Sequence, residues 1–253
     1  MTLIDLRRFS GVIFETDGVL TDTARIHAAT WKRAFDDFLR HRPGLTPEQA
    51  RPFDVRADYL RHLDGRPRLE GARSFLADRG VLPGDAAGDD LLAELGDAKD
   101  ALYLREIRRH GVAAFPAAMA LLRELHRRGA RIAAVSPSRN CAEVLAHAAM
   151  ADMIDARVDG VDAAELDLPA MPDPAMPLLA ARRLRAEPYE CVLVAATDPA
   201  IEAGARGRFG LVIAVRQPVH DGPRARADCE IADLADLRVS GRVPLLVHGD
   251  AAT

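Results

Sequence analysis

Four short apolar runs constrain this chain more than any other feature of its 253 residues. They are GVIFE (11–15), RIAAVS (131–136), CVLVAA (191–196) and GLVIAV (210–215). None of them alternates apolar with polar residues. A strand covered on one face alternates and a strand covered on both does not, so the runs predict buried parallel strands. Helical patterns stand between the later ones: AAMALLRELHRRG (117–129), which stops on a glycine, NCAEVLAHAAM (140–150), and DPAMPLLAARRLRAE (173–187), which opens with Asp173 before Pro174. Strand, helix, strand in this order requires right-handed crossovers and predicts a doubly wound, Rossmann-like α/β core on a parallel sheet.

Residues 25–111 have a different character. ARIHAATWKRAFDDFLRH, LEGARSFLADRG and DLLAELGDAKDALYLREIRRHG read as helix after helix. An all-helical insert after the first strand predicts a cap domain at 25–111, with 1–24 and 112–253 forming the core. Ligands of open α/β sheets bind beyond the carboxyl ends of the strands, so such a cap would enclose one. Trp31, Phe35 and Phe38 recur at helical spacing and read as packing. A patch rich in Ala, Gly and Asp at 84–90 reads as a loop. The short tail 239–253 carries no assignable role, and no internal repeat is present.

Composition removes several function classes. The net charge is −4 with no basic run, which argues against a nucleic-acid surface. No apolar stretch approaches membrane-spanning length and MTLIDLRRFS lacks a signal-peptide core, so the expectation is a soluble, cytoplasmic protein without a membrane partner. Cys141, Cys191 and Cys229 are far apart and odd in number; they read as buried free thiols rather than a disulfide or zinc framework.

The segment VIFETDGVLTDT (12–23) places two acidic residues, Glu15 and Asp17, at the end of the first run. Followed by VSPSRN, PAMPDPAM and VLVAATDPAIEAG, and with DGVLTDTARIHAATWK and DGRPRLEGARSFL in the insert, it resembles haloacid-dehalogenase-type phosphohydrolases, and within them the β-phosphoglucomutase subfamily. The resemblance runs from about residue 9 to about 237. It implies a helical cap and aspartyl-phosphate chemistry. An aspartate attacks the phosphoryl group, and a second, two residues on, protonates the leaving group. A hydroxyl residue and a lysine hold charge, and an acidic pair holds magnesium. Phosphoryl transfer is mostly positioning and charge neutralisation, so each of these parts is needed.

Residue by residue, the resemblance puts Glu15 at the nucleophile position. Its extra methylene moves the carboxylate by about an ångström, a displacement that costs roughly 100-fold in rate. Asp17 keeps the acid/base position and Ser136 the phosphate-binding hydroxyl. Pro137 stands where the family uses a backbone N–H, Met171 where it uses the lysine, and Ala195 and Ala196 where it uses the metal-binding pair. Asp198 is two positions out of register. The expectation is therefore a degenerate site, a pseudoenzyme, with no magnesium cofactor. The remaining acidic pair should repel a phosphate dianion.

Other positions point to retained binding. Thr23, His27, Arg68, Lys99, Ser138, Arg139 and Asn140 match positions that hold the rest of the substrate in such relatives. An anionic small molecule such as a sugar phosphate is the implied ligand, with a protein partner as the other option. Plainer readings stand beside these. Asp17-Gly18 could simply make a tight turn with the carboxylate on backbone amides. Ser136 and Asn140 could cap a helix. His27 could pack, and Arg68 and Lys99 could be solvated. Two further functions remain open: a metal-independent acid/base enzyme of isomerase, lyase or cyclase type using Glu15, Asp17 and His27, and a weak phosphatase or phosphoglucomutase.

Overall fold

The computed structural model describes residues 2–84, 86–216 and 226–242. The strands are β1 Thr2–Asp5, β2 Gly11–Glu15, β3 Arg131–Val135, β4 Ala156–Val158, β5 Cys191–Ala195, β6 Leu211–Val215, β7 Cys229–Ile231 and β8 Leu237–Ser240. The helices are α1 Ala24–His41, α2 Ala57–His62, α3 Arg68–Asp78, α4 Ala86–His110, α5 Pro116–Arg127, α6 Cys141–His147, α7 Gly160–Glu165, α8 Ala175–Arg183 and α9 Asp198–Arg206.

Six strands form one parallel sheet in the order β4-β3-β2-β5-β6-β7. The chain leaves β2 towards β3 and β4, then returns to β5 on the other side of β2. That reversal opens a crevice at the carboxyl ends of β2 and β5, the place where such sheets bind ligands. Register sets Phe14 against Val194 across this pair, so Glu15 and Ala195 emerge side by side. Ile13, Phe14, Leu193 and Val194 are covered on both faces, which is why their runs do not alternate. One face packs Leu122, Leu125 and Leu145 against Phe14 and Val194. The other packs Met176, Ala180 and Ile201 against Ile13 and Leu193.

An all-helical cap, α1 to α4, is inserted between β2 and α5. It has its own core of Trp31, Phe35, Phe53, Phe75, Leu76 and Leu92. Phe35 is central, with its ring centroid 4.8 Å from Trp31, 5.2 Å from Phe53 and 4.3 Å from Phe75. A buried Arg79–Asp58 ion pair at 3.0 Å fastens α3 to α2.

Several expectations change. Residues 86–90 of the Ala/Gly/Asp patch are helical, because they form the first turn of α4; Asp85 lies outside the described residues. The tail begins inside β8, which pairs in parallel with β1 from Thr2↔Leu237 to Asp5↔Ser240. Its remainder from 243 lies outside the described residues. Cys141 and Cys191 are buried free thiols, but Cys229 is only half-buried, because β7 is the edge of the sheet. Among the described residues no helix is long and apolar enough to cross a membrane.

Candidate functional site

A cavity of about 530 Å³ lies between the carboxyl ends of the strands and the cap. Glu15, Asp17, Ala196 and Thr197 form its floor, and Trp31, Tyr59, Leu60 and Leu63 line its cap side. Four exposed arginines, Arg25, Arg56, Arg66 and Arg139, also border it. The cap closes tightly on the core at Gly65. A Cβ there would stand 3.0 Å from Thr197 Oγ1 and 3.1 Å from Pro199, and the backbone is left-handed at φ +67°.

Glu15 does not point freely into this space. One carboxylate oxygen accepts from the Ala196 N–H at 2.8 Å and the Thr197 N–H at 3.0 Å. The other accepts from the Thr197 hydroxyl at 2.7 Å. The extra methylene of glutamate is what lets the group span the crevice to the β5–α9 loop. Burial pushes its pKa up to about 7, against the opposing pull of these three donors, and the Asp64 carboxylate on the cap adds to the rise. Glu15 therefore keeps its proton to a higher pH than an ordinary carboxyl, and the floor is less acidic than the sequence implies.

Asp17 faces the other way. It accepts from the Thr23 hydroxyl on one oxygen and from the Ser136 hydroxyl at 3.0 Å on the other. The tight turn expected at Asp17-Gly18 does form, with Gly18 left-handed at φ +77° and the Leu20 and Thr21 N–H groups donating to the Thr16 carbonyl, but the carboxylate is held by the hydroxyls of two separate segments rather than by backbone amides. Burial raises its pKa, and the same two hydroxyls and Lys99 oppose the rise.

His27, on α1, is stacked on Tyr103 with centroids 4.2 Å apart. Its Nδ1 meets Lys99 Nζ at 2.9 Å. An ammonium donating to Nδ1 leaves the neutral ring's proton on Nε2, which lies 3.7 Å from Asp17 Oδ1 and has no hydrogen-bond partner. Burial, helped by Lys99, holds the His27 pKa well below the usual histidine value. Lys99 is only 2% exposed, so it is not a solvated surface charge. Its ammonium lies 4.5 Å above the Tyr103 ring, and burial lowers its pKa. Arg68 is not solvated either: it is paired with Asp100 and, at 3.1 Å, with Asp97.

The helix-capping alternative is also corrected. Ser136 Oγ accepts from the Ser138 N–H at 3.1 Å, and Ser138 Oγ from the Asn140 N–H at 3.2 Å, so the turn is held one residue pair at a time. Asn140 occupies the N-cap position of α6, but its side chain makes no cap bond and reaches Asp100 instead. Pro137 and Arg139 border the cavity. Met171 lies in the core beneath the sheet with Ile13 and Met176, which removes it from the cavity altogether.

A magnesium ion needs a near-octahedral shell of oxygen ligands. The residues present do not fit one. Ala195 and Ala196 carry no side-chain oxygen, and the Glu15 and Asp17 oxygens already accept from N–H and O–H donors. Asp198 is exposed at the start of α9. Among the described residues no group of three His, Cys, Asp or Glu side chains is placed to hold a metal.

The residues that sequence reasoning missed are Thr197, Asp100, Tyr103, Tyr59 and Asp64. Thr197 was findable: Thr-Asp-Pro is a helix-start signature, and its hydroxyl accepts from the Ala200 N–H while it donates to Glu15. Tyr59 and Asp64 had no signal, since only the fold brings the cap over the floor.

A doubly wound parallel sheet with a helical cap over its switch point defines a capped, Rossmann-like α/β architecture. The chain belongs to the haloacid dehalogenase-like hydrolase family, whose model matches residues 9–207, and within it to the β-phosphoglucomutase-like group. It is 33% identical to a β-phosphoglucomutase of Mycobacterium bovis, over 89% of this chain and 90% of that protein. It is also 35% identical, over 98% of its length, to part of an uncharacterized glycosyl hydrolase of Mycobacterium tuberculosis, of which it covers 18%. Among solved structures, β-phosphoglucomutase from Clostridium difficile superposes with a TM-score of 0.74 at 20% identity, covering 91% of this chain and 93% of that one. CbbY from Rhodobacter sphaeroides in complex with phosphate also gives 0.74 at 20% identity, covering 90% and 96%.

Proposed function

We propose that this chain is a member of its family that has lost phosphoryl transfer and binds a small molecule in the capped cavity without turning it over. In this reading residues 1–24 and 112–253 are the core and 25–111 the cap. The observation that carries it is the tethering of Glu15. Both carboxylate oxygens are engaged by Ala196 and Thr197, and burial pushes the group's pKa up to about 7. A carboxylate so held is not aimed at a phosphoryl group. No cation stands at the Met171, Ala195 and Ala196 positions to offset transferring charge. The exposed arginines at the mouth support an anionic ligand, in keeping with the relatives whose structures hold phosphate or xylulose-1,5-bisphosphate. The test is phosphate release from a panel of sugar phosphates with Mg²⁺, beside thermal shift with the same compounds. Release at background with a positive shift supports the reading; steady turnover by a homogeneous preparation sinks it.

A second reading is favoured by one observation. His27 Nε2 is buried and unpartnered beside Asp17, and Glu15 titrates near 7 across the floor. Such a set could shuttle protons in metal-independent isomerisation or elimination. Any such activity should vanish in Asp17→Asn, and an unchanged rate would exclude it.

A further inference from the structure

The cavity holds a second charged cluster away from Glu15. Three donors from separate elements converge there: the Arg68 guanidinium at the start of α3, the Lys99 ammonium on α4, and the Asn140 amide ahead of α6. A guanidinium, an ammonium and an amide around one point make an oxyanion site. The protein itself supplies the anion. Asp100 accepts from Arg68 on Oδ2, and on Oδ1 from Lys99 Nζ at 3.4 Å and Asn140 Nδ2 at 3.4 Å; Arg68 also meets the exposed Asp97 at 3.1 Å, and Lys99 donates to His27 Nδ1 at 2.9 Å. The Arg68 and Asp100 side chains are only 20% and 18% exposed, and both line the cavity wall.

We propose that Asp100 is a specificity-determining residue, a built-in carboxylate that fills this oxyanion site and keeps phosphate and carboxylate groups of ligands out of it. The inference rests on reading the cavity as a ligand pocket, but not on the absence of turnover. An incoming oxyanion meets like charge at hydrogen-bond distance and must displace Asp100 from all three donors. An uncharged hydroxyl meets no such opposition and can donate to Asp100. The preferred ligand is therefore a polyol with a single anionic group, seated with that group at the arginine-lined mouth and its hydroxyls inward.

The test is calorimetric titration of wild type, Asp100→Asn and Asp100→Ala with inorganic phosphate and with glucose 6-phosphate. Removing the internal anion should tighten phosphate binding by roughly 10-fold or more, the scale of one charge-assisted contact. Adding Arg68→Gln to Asp100→Ala should cancel the gain. Equal phosphate affinity in wild type and folded Asp100 variants, or no phosphate binding by any of them, overturns the proposal. Arg68→Gln in otherwise wild-type protein gives an independent check, since an already paired arginine contributes little. A loss of roughly 10-fold or more in wild-type phosphate binding on that change would also overturn it. Phosphate release in the presence of Mg²⁺, measured separately, decides the turnover question, so the two readings fail by different results.

Discussion

Replacing Glu15 by Gln isolates the electrostatic cost of the buried floor carboxyl. Folded Glu15 titrates near 7, against an ordinary 4.5 in the unfolded chain. Between those values the folded protein keeps a proton that the unfolded chain has lost. Glu15 therefore contributes stability that is fully present below pH 4.5 and is lost as pH rises through about 7. The interval of about 2.5 pH units, at about 1.4 kcal/mol each, amounts to about 3 kcal/mol. The residue is 3% exposed, so solvent screening takes little from that figure. Glutamine keeps the shape: its oxygen accepts the Ala196 and Thr197 N–H groups, and its amide donates to a rotated Thr197 hydroxyl. Urea unfolding of both proteins at about pH 5 and about pH 8.5 gives the answer, read as the difference between variant and wild type at each pH. The expected result is near-equality at the lower pH and a variant more stable by about 3 kcal/mol at the higher. If Gln is less stable at both, the three donors outweigh burial, Glu15 is a full anion at neutral pH, and the tethered-carboxyl argument fails.

Other outcomes follow from the same structure. His27 is buried neutral while the unfolded chain protonates near 6.5, so it withdraws stability as pH falls below that value. His27→Gln should flatten the acid limb of the stability–pH curve, and an unchanged slope would count against the burial argument. Gly160→Ala would place a Cβ 2.5 Å from the Pro137 carbonyl oxygen. It should cost about 1–3 kcal/mol and shift the amide resonances of residues 136–140. Asp58→Ala strands buried Arg79 and should cost about 3–5 kcal/mol in thermal unfolding, whereas a loss under about 1 kcal/mol would mean the pair is solvated. Phe75→Ala opens the middle of the cap core and should cost about 3–5 kcal/mol, with early loss of the cap's protease resistance.

The sheet was legible because its strands are covered on both faces, which leaves continuous apolar runs. β4 and β7, at three residues each on the sheet edges, bury too little to write such a run. β1 and β8 were hidden for another reason: each is stabilised by the other across 235 positions, and neither is apolar enough alone. At the site, the changed positions Glu15, Met171, Ala195 and Ala196 could be read from motif register. What Glu15 does there could not, because its partners are main-chain N–H groups that any residue carries. Asp100, next to Lys99, carries no signal in the sequence, since an acidic residue on a cap helix ordinarily faces water. Only the packing of α3, α4 and the turn before α6 turns it inward.

Gly65 links two things that look separate. The Thr197 hydroxyl that grips Glu15 is also the atom that a side chain at position 65 would strike. Seating of the lid and restraint of the floor carboxyl thus share one oxygen. A methyl wedge at that seam, as in Gly65→Ala, would prop the entrance ajar and loosen the carboxyl in the same movement.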